Sequence, residues 1–397
     1  MEISQKNSNA NTDMSKNIKF IFNTHIPYVL NNNGQIFSEQ ENWIFESITE
    51  TYIPLFEALS GLSSFSLNGN EVILSFTPCT IQQMLEGKDR YLMYLKLLKT
   101  IAEAEIERTS SIEKFNKYQK NKMNLSDEEL DNINKTARFY FDRVMKSIKF
   151  YESDNILSGI KNIKNIKLWT SSINHNYLPI YNEKTAEYFI KRGIEEFEKN
   201  FDRPPDGFWL PECAFYPGLE KILIRNGIKS TSLNITGLGL YKGNEKSGIY
   251  EYDDLMLYLH DFRICKYLWK GPVKTIASHK HYREFYRDLG FDVVPEYLMK
   301  LGLTIPDNRK DHGVWTGFKY YSISDPETKL GDKWIYNIDA ARSQIKNDVN
   351  KFYNILEEHR ELVNDYKTFV LAFDTEFFGH WWFEGIWWLK EVFQNGN

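Results

Sequence analysis

Two acidic side chains near the end of the sequence have the setting of catalytic groups. Asp374 and Glu376 follow an apolar run that begins at Thr368, as expected for a buried strand that ends at the rim of a cleft. His380 follows among five aromatic residues: Phe377, Phe378, Trp381, Trp382 and Phe383. Aromatic faces beside carboxylates suit sugar rings, which offer C–H groups for stacking and hydroxyls for hydrogen bonds. The alternative is a strand and a helix packed into a core, but a core has little use for two neighbouring carboxylates.

A third acidic side chain lies far upstream, in the aromatic and proline-rich segment WLPECAFYPGLE. Glu212 follows a short apolar run there, and only a closed fold can bring it close to Asp374. In a retaining glycosidase, one carboxylate attacks the anomeric carbon and another protonates the leaving oxygen. A wider distance between the two carboxyl groups than retaining enzymes have favours inversion of the anomeric configuration instead. Burial among aromatic residues such as Trp381 and Trp382 is expected to raise the pKa of the acid. A structural role for Glu212 stays open at this point.

Two histidines also come just after predicted strands. His25 follows Ile18–Asn23, and His175 follows Ile166–Thr170. A histidine in such a position is often a structural hydrogen-bonding residue, but its ring nitrogens can also hold sugar hydroxyls or orient a carboxylate. We expect both histidines to gather with His380 at the same end of the fold as the carboxylates. The sequence has no HxxxH or CxxC spacing, so no metal site is predicted.

Short apolar strands alternate with helices along the chain, which indicates a parallel α/β architecture. Polar residues recur at the strand ends, which favours a barrel. The other predicted strands are Val72–Phe76, Phe208–Leu210 and Ser230–Leu233. A charged segment with helical periodicity, residues 81–150, predicts a helical hairpin inserted into a barrel that spans residues 17–397. Residues 1–16 are polar and predict a disordered tail.

Amino-acid composition and charge disfavour several classes of protein and of binding partner. The formal net charge of −5 comes without a basic stripe, which disfavours nucleic acid as a partner. There is no apolar run long enough for a membrane span, and the N-terminal residues lack the apolar core of a signal peptide. The 3 cysteines lie far apart, without metal spacing, which indicates a reducing compartment. We therefore expect a cytoplasmic protein.

Several motifs resemble those of one enzyme family. WLPECAFYP and FDTEFFGHWWFEG resemble the third and fourth signature motifs of glycoside hydrolase family 57, and HIPYV resembles the first. ENWIFESITETYIPL, SFTPCTIQQML, NHNYLPIY and YREFYRDLGFD extend the similarity over nearly the whole chain. The resemblance implies an incomplete parallel (β/α)7 barrel with a helical insertion, retaining chemistry on α-1,4-glucan, and no metal or other cofactor.

The resemblance also implies roles for individual residues. Glu212 corresponds to the nucleophile, and Asp374 corresponds to the general acid/base. The residues expected to bind substrate are His25, His175, Trp209, Glu376, His380, Trp381 and Trp382. The expected partner is an α-glucan of the glycogen or starch type.

Three positions depart from the family motifs. Asn23 stands where the first motif usually has a histidine, and Asn174 stands where the second usually has a threonine. Lys167 aligns with a glutamate that is expected to face the sugar, which would reverse the charge there.

The chain ends at Asn397, whereas relatives continue into a helical C-terminal domain, so that domain is expected to be absent.

The end of the chain is apolar, which predicts an exposed surface for a partner chain or for self-association. The cluster consists of Trp387, Trp388, Leu389, Val392 and Phe393. The alternative is a helix that packs back onto the barrel wall.

The favoured activity is 1,4-α-glucan branching, with α-amylase or 4-α-glucanotransferase activity as alternatives. These reactions differ in the acceptor that resolves the glycosyl-enzyme. We expect Gly237–Phe262 to overhang the cleft and to decide that choice. Its tyrosines could shield the intermediate from water, or they could serve in packing: Tyr241, Tyr250, Tyr252 and Tyr258. A hypothesis from another class is a glycan-binding protein with a degraded site, motivated by Asn23, Lys167 and the short C-terminus.

Overall fold

The computed structural model describes residues 4–5, 17–31, 37–62, 70–153, 155–235, 246–269, 275–305, 313–362 and 368–394. These residues form a nine-stranded sheet. Its strands are β1 (Ser4–Gln5), β2 (Ile18–Thr24), β3 (Glu71–Phe76), β4 (Lys167–Ser171), β5 (Gly207–Trp209), β6 (Ser230–Asn234), β7 (Gly248–Tyr252), β8 (Leu255–His260) and β9 (Phe369–Asp374).

Seven of these strands run parallel, in the order β9-β2-β3-β4-β5-β6-β8. β7 pairs antiparallel with β8, and β1 pairs antiparallel with β7. The sheet curls until β8 and β9 approach each other, and the backbone N–H of Asp261 donates to the carbonyl of Val370 at 3.4 Å. The predicted incomplete (β/α)7 barrel is confirmed.

Helices surround the barrel and fill the connections between its strands. They are α1 (Glu39–Ser47), α2 (Ile53–Ser60), α3 (Pro78–Glu86), α4 (Lys88–Arg108), α5 (Ile112–Lys117), α6 (Asp127–Ser153), α7 (Ile156–Lys161), α8 (Glu183–Phe201), α9 (Leu219–Arg225), α10 (Phe262–Cys265), α11 (Leu289–Asp292), α12 (Pro295–Lys300), α13 (Ile338–Leu362) and α14 (Gly385–Gln394). A π-helical turn, Ile48–Tyr52, joins α1 to α2. Within the described ranges, no helix combines the length and the apolarity that a membrane span needs.

Local sequence explains where α8 begins and ends. The side chain of Asn182 accepts a hydrogen bond from the backbone N–H of Thr185, which satisfies one of the free donors of the first turn. Apolar residues recur with helical spacing and pack against β4 and β5, while charged residues face outward. Asp202 ends the helix in a left-handed conformation with φ 56°.

The long helices α4 and α6, which lie between β3 and β4 in the sequence, pack against each other as a hairpin. A buried ion pair fixes the end of α4, where Arg108 donates to Glu105 at 2.8 Å from each of two guanidinium nitrogens. Tyr297 on α12 donates to the same carboxylate at 2.7 Å. The hairpin is therefore tied to the connection between β8 and β9.

The barrel interior is built in layers, because alternate residues of each strand point inward. The middle layer is apolar and contains Ile21, Ile73, Trp169 and Val370, all fully buried. Gly207 on β5 makes room for this layer, since a Cβ there would lie 2.5 Å from the indole of Trp169.

The layer at the amino-terminal end of the strands is polar. Lys167 lies 3.0 Å from Glu71 and donates to the Tyr258 hydroxyl at 2.9 Å. Lys167 is the first residue of β4, so it lies at the end of the barrel opposite to the carboxyl ends of the strands. The prediction that Lys167 reverses a charge facing the sugar is therefore wrong; its charge pairs with Glu71 instead.

The segment predicted to overhang the cleft is largely part of the sheet. Gly248–His260 forms the β7–β8 hairpin, Tyr250 is 9% exposed in a hydrophobic cluster, and Tyr258 lies inside the barrel. Tyr250 and Tyr258 therefore serve in packing, which is the second of the two alternatives given for them. Residues 236–245, including Tyr241, lie outside the described residues.

Four of the five residues in the apolar C-terminal cluster pack inside the protein, and the fifth, Trp387, is half-buried. Trp388, Leu389 and Val392 are 0% exposed and Phe393 is 1% exposed. α14 packs against α13 and α2, and the Tyr353 hydroxyl on α13 donates to the Val392 carbonyl at 3.1 Å. The prediction of an exposed surface for a partner chain is wrong for these side chains, because the barrel's own helices cover them.

The polar N-terminal segment is described at two positions only. Ser4 and Gln5 pair with Glu251 and Tyr250 of β7, so the predicted disorder does not hold for these two residues. The remainder of residues 1–16 lies outside the described residues.

Candidate active site

Asp374 is the last residue of β9 and points into the carboxyl-terminal mouth of the barrel. The strand register places it directly beside Asn23 on β2. The side chain of Asn23 hydrogen-bonds the Asp374 carboxylate, and its own Oδ1 is a buried atom with no hydrogen-bond partner. The amide N–H is therefore the group that donates. Asn23, the departure from the first motif, is thus a direct contact of the predicted acid/base.

Glu212 lies in the turn that follows β5. The turn Pro211–Cys213 bends sharply, with left-handed conformations at Glu212 (φ 54°) and Cys213 (φ 54°). Such conformations cost about 1–2 kcal/mol in non-glycine residues, and they cluster at functional sites. The Glu212 side chain is 75% exposed, and its Oε1 lies 3.8 Å from Nε2 of His175. The bend therefore presents Glu212 to solvent at the mouth.

His25 and His175 form a stacked pair beside this turn. Their ring centroids lie 3.9 Å apart, with an angle of 11° between the planes. Burial lowers the pKa of His25 to about 4, and burial together with the neighbouring His25 lowers the pKa of His175 to about 3. Both rings are therefore neutral at neutral pH, when each can donate one hydrogen bond and accept another. This suits a surface that holds sugar hydroxyls.

The carboxyl groups of Glu212 and Asp374 interact electrostatically and belong to one cluster. Burial raises the pKa of Asp374, and the negative charge of Glu212 raises it further, while the hydrogen bond from Asn23 lowers it. Burial also raises the pKa of the Cys213 thiol to about 12, with added contributions from the charges of both Glu212 and Asp374. Cys213 therefore lies near both groups. A carboxyl group with a raised pKa beside an exposed carboxylate has the division of roles that acid and nucleophile require.

Trp209 and His260 line the wall below the carboxylates. Trp209 is 6% exposed and stacks on His260, with ring centroids 6.2 Å apart. Nδ1 of His260 lies 3.1 Å from the Ser232 hydroxyl, and its Nε2 lies 3.9 Å from the Cys213 sulfur. Burial lowers the pKa of His260 to about 4, so this ring is also neutral.

Glu376 lies in a different environment from Asp374, although only one residue separates them. It is 2% exposed in the turn after β9, and the Tyr52 hydroxyl donates a hydrogen bond to it. Burial raises the pKa of Glu376 to about 8, which leaves it protonated at neutral pH. The structure therefore places Glu376 beneath the surface, beside the predicted acid/base, and not in the open cleft.

The remaining predicted residues line a neighbouring part of the same face. Trp381 packs against Trp269, with centroids 5.6 Å apart, and both line a groove of about 340 Å³. Trp382 is 2% exposed and contributes to the floor of that groove. His380 is 5% exposed, and its Nδ1 lies 3.5 Å from Glu46 and 3.8 Å from Glu50.

The structure thus brings five predicted residues together and sets four apart. The mouth of the barrel contains Glu212, Asp374, His25, His175 and Trp209. The other four are Glu376, His380, Trp381 and Trp382, and they follow β9 toward a second region. The catalytic and binding roles of all nine stay predictions.

Two residues of the site that carry aromatic rings were not predicted from the sequence. His260 is the last residue of β8, whereas His25 directly follows β2 and His175 comes a short way after β4. All three lie at the carboxyl ends of strands, so the signal was present in LMLYLH. It was missed because β8 was not predicted as a strand. Trp269 lies in the connection after β8 and carries no local signal that distinguishes it from a core tryptophan.

The prediction that the site holds no metal or other cofactor is not tested by the structure. Among the side chains that the structure describes, no three histidine, cysteine, aspartate or glutamate residues gather in a way that could hold a metal ion.

Asn23→Ala is expected to move the basic limb of the pH profile of kcat/KM upward by about one unit. The amide N–H stabilises the ionised form of Asp374, so its loss raises the pKa of this acid further. A general acid is active when protonated, so a higher pKa extends activity to higher pH. A hydrogen bond to a charged group contributes about 1.5–3 kcal/mol, and part of this is lost in a site open to water.

Ser75→Ala is the matched control for this variant. Ser75 neighbours Asn23 in the register of β2 and β3, and its buried hydroxyl has no hydrogen-bond partner. The profile of the control should match that of the wild type. An Asn23→Ala profile that stays unchanged, or that shifts to lower pH, would contradict the assigned contact.

Comparisons with known proteins show which family and which folds this chain is similar to. The profile of glycosyl hydrolase family 57 matches residues 19–237. A 1,4-α-glucan branching enzyme of Thermococcus kodakarensis is 24% identical over 420 residues, which cover 95% of this chain and 55% of that protein. A probable 1,4-α-glucan branching enzyme of Mycobacterium tuberculosis is 21% identical over 384 residues, with 94% of this chain and 66% of that protein covered. The chain thus spans between half and two thirds of the length of these relatives.

Two solved structures share the fold. The α-amylase AmyC of Thermotoga maritima superposes with a TM-score of 0.82 at 26% identity, over 96% of this chain and 72% of that one. A GH57-type branching enzyme of Pyrococcus horikoshii superposes with a TM-score of 0.72 at 24% identity, over 96% of this chain and 67% of that one.

Proposed function

Because the chain belongs to glycosyl hydrolase family 57, we propose that it is a retaining enzyme that cleaves α-1,4-glucan and transfers the released chain to form a branch. The observation that carries the proposal is the pairing of an exposed Glu212 with a partly buried Asp374 at one mouth of the barrel. The curated relatives named as branching enzymes support the choice of substrate and reaction.

In the first step, the Glu212 carboxylate attacks the anomeric carbon of the donor glucosyl unit. The bond from that carbon to the leaving oxygen breaks, and protonated Asp374 gives its proton to that oxygen. The product is a glycosyl ester on Glu212 and a shortened glucan. The raised pKa of Asp374 favours the protonated form that this step needs.

In the second step, ionised Asp374 takes the proton from an acceptor hydroxyl, which attacks the glycosyl ester and frees Glu212. A 6-hydroxyl of another glucan gives a branch, a 4-hydroxyl gives disproportionation, and water gives hydrolysis. The neutral rings of His25 and His175 are placed to hold the hydroxyls of the reacting sugar. Trp209 forms an apolar wall behind them.

Hydrolysis is the second candidate, because the similarity to the α-amylase AmyC covers nearly the whole chain. The two reactions share Glu212 and Asp374 and differ only in the acceptor. Residues that exclude water from the glycosyl-enzyme therefore decide between them.

Incubation of the full chain with amylose tests the proposal. Branching should lower the iodine absorbance and create α-1,6 linkages while the number of reducing ends stays almost constant. Reducing ends that rise without α-1,6 linkages would show hydrolysis, and altered chain lengths without either would show disproportionation. Amylose that remains unchanged while it binds the protein would favour a glycan-binding role.

The cysteines support a reducing, cytoplasmic location as part of the proposal. Cys79, Cys213 and Cys265 are all free thiols, and Cys79 and Cys265 are buried. None of the three forms a disulfide, so they do not cross-link the structure.

A further inference from the structure

The turn that presents Glu212 is strained, and the Glu212 side chain does not hold it in place. Glu212 and Cys213 both have left-handed backbone conformations, each with φ 54°. Residues other than glycine keep such conformations only where their surroundings fix them. Because the Glu212 side chain is 75% exposed, it contributes little packing of its own. The group that fixes the turn must therefore be one of its neighbours.

The side chain of Cys213 connects this turn to the barrel interior. It packs against the apolar middle layer of the barrel, on the side opposite to the exposed Glu212 carboxylate. Its sulfur lies 3.9 Å from Nε2 of His260 at the end of β8. Burial and the charges of Glu212 and Asp374 raise the pKa of the Cys213 thiol to about 12, so the thiol keeps its proton at neutral pH. Cys213 can therefore donate its S–H, a weak donor, to an acceptor at Nε2.

The hydrogen bonds of Ser232 determine which nitrogen of His260 carries the proton. The Ser232 hydroxyl donates to the backbone carbonyl of Tyr258 at 3.0 Å. Its oxygen also lies 3.1 Å from Nδ1 of His260, and because its own proton is already used, it accepts there. Burial lowers the pKa of His260 to about 4, although the charge of Asp261 opposes this, so the ring has a single N–H at neutral pH. The proton is therefore on Nδ1, and Nε2 is the acceptor that Cys213 faces.

The imidazole of His260 is itself firmly held. The residue is 5% exposed, and its ring stacks on Trp209 with centroids 6.2 Å apart. Its backbone carbonyl accepts from the N–H of Ile235, just after β6, at 3.2 Å. With the bond to Ser232, these contacts fix the ring against β5 and β6. Nε2 is thus a rigid acceptor in the barrel wall, directly below the turn.

We propose that His260 is a positioning residue for Glu212. Its Nε2 accepts the S–H of Cys213, which anchors the turn after β5 and aims the neighbouring Glu212 carboxylate at the anomeric carbon. The proposal rests on the proposed function and adds to it a residue that acts on the nucleophile through Cys213.

The tautomer of His260 is the first test of this contact. In the full chain with ¹⁵N-labelled histidine, long-range ¹H–¹⁵N correlations should show a protonated Nδ1 and an unprotonated Nε2 for His260. This is the opposite of the tautomer that isolated histidine prefers. The signal is identified by its loss in His260→Asn. A protonated Nε2 would overturn the inference, because that nitrogen could not accept from a thiol.

The S–H stretching band of Cys213 in the infrared spectrum reports on the same contact from the other side. The band is identified by its loss in Cys213→Ala, and it should move to higher wavenumber in His260→Asn, where the acceptor is gone. The band of Cys265, whose S–H donates to the carbonyl of Ala372 at 3.6 Å, is the internal control and should stay in place. A Cys213 band that does not move would overturn the inference.

Two variants of His260 test the consequence for the nucleophile. In His260→Gln an amide oxygen can take the place of Nε2, whereas the shorter side chain of His260→Asn takes the place of Nδ1 only. Release of fluoride from α-maltosyl fluoride measures the attack of Glu212. This step should slow about 10- to 100-fold in His260→Asn, with KM within about threefold of the wild type, because misplacing a reacting group by about 1 Å can cost about 100-fold. His260→Gln should react at least about fivefold faster than His260→Asn.

Cys213→Ala removes the donor and does not depend on the folding of the His260 variants. The same step should slow about 10-fold or more, again with little change in KM. Cys79→Ala is the matched control, since it makes the same change at a buried thiol on α3, and it should leave the rate unchanged. A urea titration of each variant separates a change in stability from a change in the rate of the folded protein.

The outcomes distinguish this inference from the proposed function. Equal rates in His260→Asn and His260→Gln, an effect on KM alone, or a wild-type rate in Cys213→Ala would each overturn the positioning role. The proposed function would stand in these cases if the wild type still converts amylose. A wild type that neither releases fluoride nor converts amylose would overturn both.

Discussion

Glu212→Gln is expected to lower kcat on maltooligosaccharides by on the order of 10⁴-fold or more. The amide has the shape of the carboxylate but cannot attack the anomeric carbon, so the glycosyl-enzyme does not form. The side chain is 75% exposed and its nearest ionisable partner, His175, is 3.8 Å away, so the folded state depends little on its charge. The free energy of unfolding should change by no more than about 0.5 kcal/mol.

Glu57→Gln is the matched control, since it makes the same chemical change at an exposed position on α2. Steady-state rates and a urea titration of both variants separate loss of catalysis from loss of folding. Retention of more than about a tenth of the wild-type rate by Glu212→Gln would be incompatible with nucleophilic catalysis at this position.

Asp374→Asn is expected to lower kcat/KM on maltooligosaccharides by about 10²- to 10⁴-fold, the usual contribution of general acid–base catalysis. The leaving sugar oxygen needs a proton, and the amide cannot supply one. An α-maltosyl fluoride needs no such proton, because fluoride leaves as the anion. The first step on that substrate should therefore be slowed at least tenfold less.

The difference between the two substrates identifies the role of the residue. Pre-steady-state release of fluoride measures the first step alone, and a reducing-end assay measures turnover of maltooligosaccharides. Equal losses on both substrates would show that Asp374 contributes something other than a proton.

Much of the barrel could be predicted from the chain, because buried parallel strands are short apolar runs bounded by polar residues. The predicted strands at Ile18–Asn23 and Val72–Phe76 each lie within one residue of the observed ends. β7 and β8 were missed because their turn, Asp253-Asp254, joins two strands in a segment that was interpreted as an overhanging loop. Because β8 was not predicted, His260 at its end was not predicted as a residue of the site either.

The location of the candidate site could be predicted because carboxyl ends of parallel strands meet at one mouth of a barrel. That rule placed Glu212, Asp374, His25 and His175 correctly relative to the strands. It could not place Glu376, whose environment depends on Tyr52, a residue far away in sequence.

The position of Lys167 could not be predicted from the motifs alone. A motif comparison put it beside the sugar, but strand direction puts it at the other end of the barrel, paired with Glu71. One argument for a degraded site is thereby removed. A second argument rested on Asn23, which is a hydrogen-bonding partner of Asp374 and is compatible with catalysis.

The most direct test of the central claim is to trap the intermediate. An α-maltosyl fluoride with a second fluorine on the reacting ring slows both steps, because it opposes the positive charge of the transition state, while the fluoride leaving group speeds the first. The glycosyl-enzyme should accumulate, and mass spectrometry of peptides should locate one added fluoromaltosyl group on Glu212. An adduct on another residue, or cleavage of maltooligosaccharides by a protein that never becomes labelled, would contradict the account.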